Sequence, residues 1–226
     1  MSERFAVAIP AFEAGYSIAA VVRRALAMSA EVVVVDDGSR DGTGDAARAC
    51  GVSVLTNAVN LGKGRALRSA FDRLFADGYD AVVTIDADGQ HPPEEMPKLL
   101  APWREGADLV LGTRAHLYGA MGRVRAASNG TSSWLISCVA GAHLPDCQTG
   151  YRLYTRRLIE TIGFPEPRFE AESAVLVRAV RQGFRVVGVP VHLEKADGRG
   201  TSHYRPIVDS LRIASAVTRA RFESPP

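Results

Sequence analysis

Cysteine is scarce in this chain. Cys50, Cys138 and Cys147 are its only three, and none has a CxxC spacing. That argues against a disulfide framework or a thiolate zinc site and suits a reducing cytoplasm. Charge of one sign is also lacking: 27 Lys and Arg against 25 Asp and Glu leave a formal +2. No basic run dominates any segment, so no nucleic-acid partner is expected. No apolar run approaches the roughly 20 residues that span a bilayer. The opening MSERFAVAIPAF has too short an apolar part, and turns polar too early, for a signal peptide. These absences point to a cytoplasmic protein. Repeats, low-complexity tracts and inter-domain linkers are missing too. What is present, 226 residues of which 46% are hydrophobic, suffices for one substantial α/β domain and is cramped for two.

Apolar runs of strand length alternate with helical patterns through the first half. Residues 5–9 read as a strand, followed by a helix capped by Ser17 and carrying Ile18, Val21, Val22, Ala25 and Leu26. Residues 32–35 are four valines without polar alternation, as in a strand covered on both faces of a parallel sheet. A helix opens at 41–43 and reaches about Cys50. Residues 52–55 form a third strand, and 64–75 a third helix with Leu67, Ala70, Phe71 and Leu74 on one face. Strands at 81–85 and 109–111 flank a helix beginning after Pro92-Pro93, where proline suits a first turn. This order predicts an α/β fold with a mostly parallel central sheet, helices on both faces and right-handed crossovers. Beyond Gly112 the rhythm changes. A stretch rich in Gly, Ala, Ser and Arg over 115–150 holds one helix around 132–139. A helix over 170–182, a strand over 184–191 and an amphipathic helix over 207–222 follow.

Ligands of open parallel sheets bind outside the carboxyl ends of the strands. Here those ends are polar: Pro10-Ala11-Phe12-Glu13, Asp36-Asp37-Gly38-Ser39, the run into Asn60-Leu61-Gly62-Lys63-Gly64, Asp86-Ala87-Asp88-Gly89-Gln90-His91, and Gly112-Thr113-Arg114. One such group would be a cap or a turn. Five on one rim are hard to assign to structure alone. In the fourth, Asp86 and Asp88 stand two apart, so an extended backbone points both to one side. Two carboxylates with the Gln90 amide oxygen make a hard-oxygen site suited to Mg²⁺ or Mn²⁺ bridging a diphosphate. The plainer reading is that Asp88-Gly89 is a turn and Asp86 a cap. Asp37 can likewise accept from a base edge or ribose hydroxyls, while Asp-Gly-Ser is also good turn chemistry. Lys63 sits between two glycines that either start a helix or let backbone approach a ligand. Neither GxxxxGK[ST] nor GxGxxG is present.

Taken together, IPAFE, VVVVDDGSRDGT, NLGKGRAL, TIDADGQHPPE, LVLGTR and DCQTGYRLY resemble the family 2 glycosyltransferases of GT-A fold, nearest the dolichyl- and polyprenyl-phosphate mannose and glucose synthases. The motifs keep the family's order across about residues 5–205. The resemblance implies a nucleotide-sugar donor, a lipid-phosphate acceptor and a Mg²⁺ or Mn²⁺ ion. It splits a single domain, 1–226, into a nucleotide-sugar-binding half, 1–114, and an acceptor-side half, 115–226. Pro10, Phe12 and Glu13 match the loop that holds the nucleoside, and Val35 and Asp37 the base-recognising strand end. Lys63 matches the lysine of the NxGKG turn. Asp86 matches the first aspartate of the DxD motif, beside Ala87, with Asp88 and Gln90 as the matched metal ligands. Arg114 matches an arginine at the reaction centre, and Arg125 one that receives the acceptor phosphate. Asp88, Arg114 and Arg125 are thus the implied catalytic set. Lys195, Arg199, Ser202 and His203 fall where the family carries a basic segment over the diphosphate. Phe12 replaces the usual Tyr or Asn. Gln148-Thr149-Gly150-Tyr151 departs from the TSGF-like run of mannose synthases towards glucose-type sequences, so GDP-mannose and UDP-glucose both stand as donors.

The resemblance further implies that the reaction inverts the anomeric carbon. An acceptor phosphate, already anionic, needs no general base. A hydroxyl acceptor would need a carboxylate, for which Glu170 and Glu172 are candidates, although glutamates on a surface helix are commonplace. Peripheral membrane contact is suggested by Trp134, Leu135 and Ile136 near Arg123 and Arg125, and by Leu211, Ile213, Val217 and Phe222 among Arg212, Arg219 and Arg221. A core-packing helix explains the same pattern. Two other classes fit an α/β nucleotide domain: a sugar nucleotidyltransferase, for which PAFEAGYS is a poor triphosphate loop, and a non-catalytic binding module, against which DADGQ and Arg114 argue.

Overall fold

The computed structural model describes residues 3–29, 31–114, 116, 123–144, 146–194 and 206–223, with backbone alone at 123–129, 131 and 206–207. Strands β1 (Phe5–Ala11), β2 (Val32–Asp36), β3 (Ser53–Thr56), β4 (Ala81–Thr84) and β5 (Leu109–Thr113) alternate with helices α1 (Ile18–Leu26), α2 (Thr43–Arg48), α3 (Lys63–Ala76) and α4 (Met96–Arg104). A single 3₁₀ turn, Pro93–Glu95, precedes α4. Then come α5 (Arg123–Ala140), β6 (Arg152–Thr155), α6 (Arg156–Ile162), α7 (Glu170–Arg181), β7 (Val186–Pro190) and α8 (Pro206–Phe222).

The described strands form one seven-stranded sheet in the order β3-β2-β1-β4-β6-β5-β7. The pairings β1–β2, β1–β4, β2–β3 and β5–β7 are parallel, and β6 runs antiparallel to both β4 and β5. The sheet is therefore mostly parallel, as predicted, but β6 and α6 were not foreseen. Their insertion matters for the site. Because β6 runs against its neighbours, its entry at Gly150–Tyr151 lies at the carboxyl ends of β4 and β5, with Arg152 in register with Thr84 and Leu111.

Alternation along the strands feeds two cores. Ala6, Ala8, Val33, Val35, Val82 and Tyr154 pack with α3, α5, α6, α7 and α8. Val7, Ile9, Val32, Val34, Val83 and Leu153 pack with α1, α2 and α4. Each valine, isoleucine or leucine so buried contributes about 1.5–3 kcal/mol, which fixes the strands whose ends carry the polar rim. One capping expectation fails: Ser17 makes no side-chain cap to α1. Its hydroxyl donates instead to the Ala87 carbonyl (2.7 Å), with the Ala14 carbonyl 3.3 Å away, tying α1 to the turn after β4.

Candidate active site

The acidic motif after β2 braces the loop after β1. Ser39 Oγ accepts from the Glu13 amide (2.9 Å), Thr43 Oγ1 from the Ala14 amide (2.8 Å) and Asp41 Oδ2 from the Gly15 amide (2.8 Å). Glu13 Oε1 in return accepts from the Arg40 amide at 2.8 Å. Glu13 is held at φ 52°, the left-handed region that a non-glycine residue occupies only when its surroundings enforce it. Burial works to raise the Asp41 pKa, but the hydrogen bonds from Thr43 and Gly15 outweigh it and hold the carboxyl low. Pro10 lies in β1 opposite Val35, whose side chain is buried in the core, so Val35 can offer a ligand only its backbone.

Both oxygens of Asp37 are engaged within the chain. Oδ1 accepts from Asn57 Nδ2 (2.8 Å) and the Leu61 amide (2.9 Å), and Oδ2 from the Gly62 amide (2.7 Å). The structure thus shows Asp37 pinning the loop 57–62 that delivers Lys63. The glycines around Lys63 admit protein, not open space. A Cβ on Gly64 would run into the Glu166 carbonyl, and one on Gly62 would lie 2.6 Å from the Pro167 carbonyl. The Arg65 amide donates to that same Pro167 oxygen at 3.0 Å.

Lys63, at the start of α3, is the centre of an ion-pair cluster. Its Nζ lies 2.6 Å from Asp86 Oδ1 and 2.9 Å from Glu172 Oε2. Burial would lower the Lys63 pKa and raise that of Asp86. The pairing wins in both, so lysine stays protonated and Asp86 ionised. Arg114 adds to the field that favours ionised Asp86. His91 is itself buried, its ring 5.4 Å from that of Tyr151, and burial pushes it down to about 4, with Asp86 opposing and Arg114 and Lys63 adding. Glu170 and Glu172 are buried, contrary to the expectation of surface-helix glutamates, and Glu172 is committed to Lys63.

Asp86 and Asp88 do not share an extended backbone, as their spacing suggested. β4 ends at Thr84, and Ala87-Asp88 form a turn. Asp88 Oδ1 accepts from the Gln90 amide at 2.9 Å, a local bond that competes with extended structure and shapes the turn. The turn reading of Asp88 is therefore realised, and it leaves the oxygen-donor chemistry of Asp88 and Gln90 in place.

Arg114, at the exit of β5, is held by a residue that sequence reasoning missed. Asp146 accepts from the Arg114 amide (2.9 Å), Nε (2.8 Å) and Nη2 (3.0 Å), with Arg114 7% exposed and Asp146 0%. Burial would raise the Asp146 pKa, but Arg114 outweighs it and keeps the carboxyl below the ordinary range. The loop bearing Asp146 ends at Gly150, where any Cβ would collide with the Asp86 carboxylate. The Lys63–Asp86 and Arg114–Asp146 pairs thus meet across one loop. Arg125 lies in the first turn of α5 with its side chain outside the description, and Arg199, Lys195, Ser202 and His203 lie outside the described residues.

A mostly parallel sheet, helices on both faces and this charged rim define the class as a GT-A-type α/β enzyme. The comparisons narrow it. The family model for "Glycosyl transferase family 2" matches residues 6–163. Polyprenol monophosphomannose synthase of Mycolicibacterium smegmatis is 31% identical over 207 residues, 84% of this chain and 77% of that protein. Undecaprenyl-phosphate mannosyltransferase of Micrococcus luteus is 37% identical over 173 residues, 71% and 70% of the two chains. Among solved structures, glucosyl-3-phosphoglycerate synthase from Mycobacterium tuberculosis, crystallised with Mn²⁺, uridine diphosphate and glucosyl-3-phosphoglycerate, superposes with a TM-score of 0.70. It is 22% identical and covers 97% of this chain and 80% of its own. The chain belongs to glycosyltransferase family 2 and is a glycosyltransferase. The nucleotidyltransferase and binding-module readings fall with that assignment.

Proposed function

We propose that the enzyme moves a hexose from a nucleoside-diphosphate sugar, GDP-mannose or UDP-glucose in type, to the phosphate of a polyprenyl carrier, inverting the anomeric carbon. The observation that carries this is the rim itself. Asp86, held by Lys63, and Arg114, held by Asp146, are linked by the loop 146–150, whose Gly150 packs against the Asp86 carboxylate. The named acceptors of the two sequence relatives support a polyprenyl phosphate.

The braced loop Pro10-Ala11-Phe12-Glu13 with Val35 and Asp37 forms the nucleoside side, and Lys63, Asp86 and Ala87 the diphosphate side. Arg114 and Arg125 orient the acceptor phosphate, and Arg199 completes the diphosphate contacts. An oxygen of that phosphate forms the new bond to the anomeric carbon as the bond to the nucleoside diphosphate breaks on the opposite face. An anionic acceptor needs no proton removed, so positioning and charge do the work. The donor chemistry of the turn fits a divalent ion. Asp88 and Gln90 offer hard oxygens with Asp86 beside them, and an Mg²⁺-type ion takes one or two carboxylates plus substrate phosphates rather than a full protein cage. When bound, Mg²⁺ or Mn²⁺ neutralises charge on the leaving diphosphate. A hydroxyl acceptor is the second reading, kept by one observation: Glu170 Oε2 is buried without a hydrogen-bond partner.

Nucleoside diphosphate release, measured with each donor, Mn²⁺ and a polyprenyl phosphate, tests the reading. Asp88→Asn should lower both Mn²⁺ affinity and turnover, the latter about 100-fold. Unchanged values in both would end it.

No described helix is long and apolar enough to cross a membrane. Peripheral contact is proposed on what α5 and α8 leave outside. Ile213, Ala216 and Val217 pack in the core, whereas Trp134, Leu135 and Leu211 are 63%, 52% and 67% exposed. Deleting α8 would strip the core, so the informative variant is Trp134→Ser with Leu135→Ser and Leu211→Ser. Wild type should float with anionic liposomes and the triple variant should not. Equal behaviour of the two rejects this contact.

A further inference from the structure

Among the described residues Arg152 is one of the largest side chains that the fold buries completely, and the proposed reaction makes no use of it. A buried guanidinium is costly unless its donors are satisfied. Here backbone carbonyls take one hydrogen bond from each of its three nitrogens: Nε donates to Thr149 (2.8 Å), Nη2 to Cys147 (2.8 Å) and Nη1 to Glu172 (2.6 Å). The nearest carboxylate oxygen, Glu172 Oε1, is 4.0 Å from Nε. An apolar side chain would fill the same space more cheaply. What the arginine adds is a rigid planar fork that grips separate pieces of backbone at fixed angles.

Those pieces carry the two halves of the site. Cys147 and Thr149 belong to the loop that ends in Gly150 against the Asp86 carboxylate and begins with Asp146, the partner of Arg114. Glu172 belongs to the first turns of α7 and is the second partner of Lys63. Thr84 tethers the loop from the other side, its Oγ1 donating to the Gly150 carbonyl at 2.9 Å. We infer that Arg152 is a positioning residue that sets the separation of the Lys63–Asp86 pair from Arg114. The inference rests on the transferase reading above and deepens it: Arg152 touches no substrate and acts through both ion pairs.

The test compares Arg152→Lys and Thr84→Val with wild type, measuring melting temperature, folded fraction, and kcat and KM for the donor. Lysine keeps the charge but cannot hold three carbonyls in one plane. Thr84→Val slackens the same loop without removing a charge. Arg152→Lys should lower kcat per folded molecule about 10- to 100-fold, since small misplacements of reacting groups cost that much. Donor KM should move less than about threefold, and Thr84→Val should lower kcat by a smaller factor of the same kind. If Arg152 only supported the fold, melting temperature would drop while kcat and KM per folded molecule stayed at wild-type values. That result overturns the inference, and Thr84→Val alone decides it should Arg152→Lys not fold. Wild-type protein that releases no nucleoside diphosphate sinks the transferase reading instead, and this inference with it.

Discussion

Asp146→Asn isolates the clamp on Arg114. The native carboxylate is fully buried and accepts three hydrogen bonds from Arg114 and one, at 3.1 Å, from the Gln148 amide. Removing one partner of a buried pair strands the other charge and costs about 3–5 kcal/mol. Asparagine keeps one acceptor oxygen, which places this variant near the lower end, about 3 kcal/mol. For a chain of this length that is a fall of about 6–12 °C in melting temperature. The sign with pH follows from linkage. The Asp146 carboxyl titrates lower in the folded protein than its unfolded value of about 3.9, so the stabilisation is complete above that pH and is lost as pH falls through the folded value. Urea unfolding of wild type and variant should therefore differ by about 3 kcal/mol at pH 7, and by less as pH drops below about 4. Replacing both partners, Arg114→Met with Asp146→Leu, should restore much of the stability, because apolar residues often match a buried pair, while turnover stays lost. A variant within about 1 kcal/mol of wild type at pH 7, with normal turnover, would refute the reasoning.

Two further outcomes are expected. Gly150→Ala puts a methyl group into the Asp86 carboxylate. It should cost about 1–3 kcal/mol of stability and lower turnover about 10- to 100-fold, and steady-state kinetics with wild-type values would show that Asp86 need not sit there. Lys63→Met leaves Asp86 and Glu172 without their shared cation. The Asp86 pKa, held low by Lys63 against burial, should then rise, moving the acid limb of the pH–rate profile upward; a limb that stays in place counts against the cluster.

The first five strands and four helices were legible because each announces itself locally. The four valines of β2 and the 3.6-residue stripe of α3 owe nothing to distant sequence. β6 announces nothing: Arg-Leu-Tyr-Thr is short, opens on a charge, and becomes a strand only because β4 and β5 leave a gap that an antiparallel segment fills. The site divides in the same way. Its carboxylates and cations could be read from the strand ends, but not their partners. Asp37 faces the loop 57–62, and Arg114 is held by a residue 32 positions away. Such pairings belong to tertiary geometry and leave no periodic trace.

The missing pairings also change what the rim means electrostatically. From sequence, five polar strand ends read as a charged mouth open to a ligand. In the structure Lys63, Arg114 and Arg152 face Asp86, Asp146 and Glu172, so these six charges, all buried except the partly exposed Lys63 and Asp86, sum to zero. A balanced cluster exerts little net pull on a bare diphosphate, since its attractions and repulsions largely cancel beyond the first contacts. On the proposed reading the donor is therefore selected at short range, by the braced nucleoside loop and the turn at Asp88 and Gln90, and the cluster serves to hold Asp86 and Arg114 in register. That explains why so many of the rim's hydrogen bonds run within the chain: their strength goes into geometry, which is what an in-line displacement with no proton to remove depends on most.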